Sequence, residues 1–129
     1  MTIPDRDKTF LRERGFEWEV VPDPAGSAFV IVHDFFVGSG GFAPEHTDLM
    51  VRIPPHYPIT PLDMWYCDPS IRLAATGQFA QASEVMEGHL GRTWQRFSRH
   101  LNGGWRPGVD NLRSYFSLIL RELQGVGRT

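Results

Sequence analysis

Ile53-Pro54-Pro55-His56-Tyr57-Pro58-Ile59-Thr60-Pro61 is the stretch on which the fold turns. Four of these nine residues are prolines, and they follow directly on an alternating, strand-like run. Proline has no N–H and holds φ near −65°, so the chain cannot continue a sheet ladder here. It must leave the sheet along an extended, rigid path, and Tyr57 is the one large side chain able to pin that path. The stretch therefore predicts a rigid turn outside the sheet with Tyr57 buried beneath it.

Working outward, residues 48–53 predict a strand before the turn and residues 62–67 a strand after it. Further upstream, residues 16–21 begin with period-two alternation and stop at Pro22-Asp23-Pro24, as a strand and a turn would. Residues 28–37 are rich in Val, Ile and Phe and predict a long strand buried on both faces near its middle. Gly38-Ser39-Gly40-Gly41 ends it as a flexible hairpin loop. Residues 4–14 carry early acids and late arginines before Gly15, which predicts a short helix. Together these give an N-terminal helix and a four-stranded antiparallel meander.

Residues 68–104 show no clean strand and read as a long irregular segment, with at most a turn or two of helix over 80–89. Irregular segments of that length inside a compact domain are usually either functional or misread elements. After it, Asp110 reads as the N-cap of a helix over residues 111–124. Leu112, Tyr115, Phe116, Ile119, Leu120 and Leu123 fall on one stripe, and Gly125 ends it.

With 129 residues the chain reads as one domain spanning 1–129, able to bury roughly two-thirds of its unfolded surface. A net charge of −2 gives no electrostatic pull toward nucleic acid or anionic membrane. No apolar run approaches the ~18–20 residues that cross a bilayer. The start, Met1-Thr2-Ile3-Pro4-Asp5, lacks the features of a secretion signal. A lone cysteine, Cys67, forms no internal disulfide, which fits a reducing cytoplasm. His33, His46, His56 and His89 have no metal-ligand spacing, so neither a metal nor a cofactor is expected.

Helix, meander, Pro-x-x-Tyr-Pro-x-x-Pro turn, irregular segment, Trp105-Arg106-Pro107 and closing helix follow the order of the ubiquitin-conjugating (UBC) superfamily, over about residues 4–124. The chain resembles the bacterial branch of that superfamily, without the C-terminal helices of the eukaryotic enzymes. The resemblance implies an α+β, UBC-like fold with the 68–104 segment as its active-site loop. It also implies a ubiquitin-like protein and a ThiF-type activating enzyme as partners. Asp68-Pro69-Ser70-Ile71 stands roughly where the family has a His-Pro-Asn turn, so Ser70 replaces the asparagine. Counting back from Trp105 to the place of the family's catalytic cysteine reaches Phe97, with Ser98 beside it.

Two nucleophiles follow. Cys67 adjoins Asp68 at the end of a strand, where a thiol is ordinarily a small buried apolar residue and an acid opposes its ionisation. Ser98 lies in Arg96-Phe97-Ser98-Arg99-His100, where His100 would act as base to the hydroxyl. Arg96 and Arg99 would grip an acidic partner surface or stabilise an oxyanion, and Trp94 would add an aromatic contact if exposed. The ordinary alternatives are that Ser98 and His100 merely bond the local backbone and Trp94 packs inward. The reading is a UBC-like carrier that accepts a ubiquitin-like C-terminus as an oxyester on Ser98. The alternative is a catalytically inactive variant that binds or scaffolds.

Overall fold

The computed structural model describes residues 3–101 and 104–125; Met1, Thr2 and Gly103 lie outside the described residues. Helix α1 spans Asp5–Glu13, with Asp5 and Asp7 in its first turn and Arg12 in its last. It ends at Gly15, whose φ of 71° suits a residue with no Cβ. α1 buries Phe10, Leu11 and the carboxylate residue Asp7.

Strands β1 (Trp18–Pro22), β2 (Ala28–Phe36), β4 (His46–Ile53) and β5 (Met64–Asp68) are successive antiparallel neighbours. Val20 faces Val30, Val30 faces Val51, and Val51 faces Trp65, so one register runs across the sheet. Alternation sends Ala28, Val30 and Val32 of β2 to the core under the helices, and Phe29 and Ile31 to the other face. Both sets are buried, which accounts for the unbroken apolar run. A bulge between Val32 and Phe35 puts Asp34 at φ 49°. The Gly38–Gly41 stretch leads into β3 (Phe42–Ala43) before β4 begins.

The irregular reading of 68–104 is corrected by the structure. β6 (Arg72–Leu73) pairs with β3 as a separate two-stranded ribbon. β7 (Met86–His89) and β8 (Arg92–Ser98) form a hairpin that joins the main sheet. The order is β1-β2-β4-β5-β8-β7, so this sheet has six strands rather than four, and residues 86–89 are strand rather than helix. Two features hid the hairpin. Its turn is Leu90-Gly91, both at positive φ (55° and 75°), which is the backbone of a type I′ turn without the usual Asn or Asp. In addition, β8 sends the polar Gln95 inward, where an alternating strand pattern would have an apolar residue.

Helix α2 spans Leu112–Leu123 and buries Leu112, Tyr115, Phe116, Ile119 and Leu123 against the sheet. Its N-cap is Asn111, not Asp110: Asn111 accepts from the Ser114 amide, and the Ser114 hydroxyl accepts from the Asn111 amide in return. Asp110 instead closes the preceding turn by accepting from the Arg106 amide at 2.7 Å. Trp65 and Phe97 stack between β5 and β8 with ring centroids 3.8 Å apart, within the core under the helices. No helix among the described residues is long and apolar enough to cross a membrane.

Candidate functional site

The proline stretch leaves the sheet after Ile53 and runs as successive turns until β5 begins at Met64. Tyr57 is buried beneath it and joins three elements. Its hydroxyl donates to Asp7 Oδ2 of α1 at 2.6 Å and accepts from the Leu112 amide of α2 at 2.8 Å. Trp105 Nε1 donates to Pro58 O at 2.8 Å, so the two motifs far apart in sequence meet. Burial, followed by the Asp7 carboxylate, pushes the Tyr57 hydroxyl well above its ordinary pKa, so it remains a donor. This junction holds the first turn of α2 in place.

Cys67 lies in the middle of the sheet, facing Leu49 on β4 and Gln95 on β8, with no exposed surface. Burial pushes its thiol far above the ordinary range, with the Glu122 and Asp68 charges adding, while a hydrogen bond with Thr47 opposes. Only the thiolate is nucleophilic, so this sulfur is inert in the folded protein. A maleimide reagent is expected to leave Cys67 unmodified under native conditions and to modify it once the chain is unfolded. Rapid native labelling would show that the sheet opens there.

Ser98 is the last residue of β8 and sits opposite Met64, half-buried. The ladder continues one residue further, because the Arg99 amide donates to Asp63 O at 2.9 Å. Strand alternation then sends the Arg99 side chain to the helix face, where it forms a two-pronged pair with Glu122 of α2 at 2.6 and 2.8 Å. Ser98 and Arg99 border a hollow of about 600 Å³ whose other walls include Ala80, Gln81, Ala82 and Glu122. His100 is exposed, and no hydrogen bond joins it to Ser98.

The remaining expected site residues face elsewhere. Arg96 pairs with Glu87 Oε2 at 2.7 Å, and Glu87 also receives Tyr66 and His89 at 3.1 and 2.9 Å. These partners hold the Glu87 carboxyl below its ordinary pKa against the opposing effect of burial. Trp94 has no exposed surface; it lies in the second apolar layer with Phe29 and Tyr66 and donates to His89 O at 3.0 Å. Its ring is out of a partner's reach. Ser70, the expected stand-in for the family asparagine, follows the end of β5 opposite to the one Ser98 pairs with. Its hydroxyl lies against Met86 Sδ at 3.8 Å, on the strand beyond β8.

One residue missed from the sequence organises this region. Gln95, fully buried, accepts from the Ile71 amide at 2.8 Å and donates to Ile71 O at 2.9 Å and Ser83 O at 3.0 Å. It holds the 71–83 segment against the sheet as a backbone strand would. Its only sequence signal is a polar residue at an inward position of an alternating run.

The model of Prokaryotic E2 family E matches residues 3–125. The chain belongs to this family. No curated protein and no solved structure matches it. As a member of Prokaryotic E2 family E, the protein has the α+β architecture of that superfamily, with an antiparallel sheet and, among the described residues, two helices. Its departures from the resemblance lie at the chemistry: the sole thiol is sealed inside the sheet, and a serine stands at the end of β8.

Proposed function

We propose that this E2-family protein is a carrier in a ubiquitin-like conjugation pathway, taking the C-terminus of a ubiquitin-like protein from a ThiF-type activating enzyme onto Ser98. The observation that carries this reading is the contrast between the two candidate nucleophiles: Cys67 has no exposed surface, whereas Ser98 is half-buried at the end of β8 with an exposed imidazole two residues on. In the loading step Ser98 Oγ attacks the acyl carbon held by the activating enzyme. The Oγ–C bond forms, the bond to the activating enzyme's leaving group breaks, and the hydroxyl proton passes to His100. In the transfer step an acceptor amine attacks the ester, the C–N bond forms, and Ser98 recovers a proton as the C–O bond breaks. An ester is a weaker acyl donor than a thioester, so acceptor and base must be well placed.

The missing Ser98–His100 hydrogen bond favours a second reading, in which the domain binds a ubiquitin-like protein without covalent chemistry. Incubation with activating enzyme, ubiquitin-like protein and ATP separates the two. The carrier role predicts an adduct that survives thiols, yields to hydroxylamine, persists in Cys67→Ser and vanishes in Ser98→Ala. Binding with no adduct, unchanged in Ser98→Ala, establishes the second reading instead.

A further inference from the structure

Arg99 lies between the two residues to which the proposed function assigns chemistry, and it is the most heavily anchored residue in that region. Its amide donates to Asp63 O, and its carbonyl accepts from the Tyr115 hydroxyl of α2 at 3.0 Å. Its guanidinium holds both oxygens of Glu122, donates to Gln81 O at 2.7 Å and Ser98 O at 2.9 Å, and reaches Ala82 O at 3.5 Å. Both side chains of the Arg99–Glu122 pair are 18 % exposed, so the pair is largely out of water. The planar guanidinium meets this fork of carboxylate and carbonyl oxygens in a way that an ammonium group cannot copy.

Neither Ser98 Oγ nor the His100 ring shows a comparable anchor; their placement depends on the backbone between them. In an extended segment residues i and i+2 project to the same side, and residue i+1 to the other. A locked residue 99 therefore determines whether the hydroxyl and the imidazole share a face.

We infer that Arg99, braced by Glu122 and the carbonyls of residues 81 and 98, is the positioning residue that sets Ser98 and His100 side by side. Its guanidinium is occupied on the helix side of the sheet, so it acts through the backbone and does not meet the acyl group. This replaces a partner-gripping role for Arg99 and rests on the assignment of chemistry to Ser98.

The test compares His100 ring signals by NMR, assigned through their loss in His100→Gln, across a mutant cycle. Ser98→Ala is expected to displace those signals in the wild-type background. The displacement should vanish in Arg99→Gln and in Glu122→Gln, and return in part in Arg99→Lys, which retains the charge. Equal displacement in all backgrounds, or none in the wild type, overturns the inference. A stability role alone would not move this coupling among variants whose amide spectra are those of a folded chain. Adduct formation forms the second arm: Arg99→Gln should slow it at least about tenfold at a temperature where every variant is folded, the scale on which small misplacements act. An unchanged rate overturns the inference. A wild type that forms no adduct removes the carrier reading, and the NMR cycle still decides whether Arg99 positions the pair.

Discussion

Tyr57→Ala is expected to destabilise the protein by about 3–5 kcal/mol, the range for losing a buried aromatic side chain. Tyr57→Phe isolates the polar part of that loss. It removes the hydroxyl's bonds to the Asp7 carboxyl and the Leu112 amide and leaves those two groups only each other as partners. At about 1–3 kcal/mol for a polar group left short of a partner, and with these two still bonded to each other, Phe should cost about 1–3 kcal/mol. Urea unfolding of both variants checks this; a cost for Tyr57→Phe below about 0.5 kcal/mol, within the scatter of neutral surface changes, would remove the junction from the stability account.

Asp7 adds a pH signature. Burial raises its carboxyl pKa, and the bond from Tyr57, the Arg6 charge and the Leu112 amide only partly offset this. The folded chain thus binds that proton more tightly than the unfolded chain. The contribution of this group is complete below the ordinary carboxylate value and is lost as pH rises toward the raised value. Asp48 and Glu87 act in the opposite sense: their pKa values are lowered, so their contribution exists above the ordinary values and is lost as pH falls. The difference between wild type and Asp7→Asn therefore isolates Asp7. The Asp7→Asn variant is expected to gain stability relative to wild type as pH rises through that window, and a difference independent of pH would contradict the assignment.

Gln95→Ala is expected to cost at least about 3 kcal/mol, because it leaves the Ile71 amide, Ile71 carbonyl and Ser83 carbonyl without partners. The loss should be local before it is global. Amide exchange at Ile71 and Ser83 should accelerate by more than that at Val30 or Val51, which belong to the centre of the sheet. Uniform acceleration would mean that Gln95 contributes only general packing. Since the 80–83 segment also supplies carbonyl contacts to Arg99, freeing it should loosen the end of β8 as well.

The local alphabet settled much of this protein in advance. Prolines 54, 55, 58 and 61 cannot sit in a ladder, so a turn there follows from covalent geometry alone. The apolar stripe of α2 and the Val/Ile/Phe run of β2 are periodic enough to declare their elements, and the acid beside Cys67 already argued against a thiolate. The β7–β8 hairpin was illegible because its turn is Leu-Gly and its inward position at 95 is a polar amide, whose fitness depends on carbonyls more than ten residues away in the chain. The burial of Trp94, the separation of Ser70 from Ser98 across β5, and the Arg99–Glu122 brace depend on strand register and on where α2 lies over the sheet. Those are sums of non-local contacts. Residue types near Ser98 named the chemistry on offer, but only the packed sheet decided which side chains stay free to perform it.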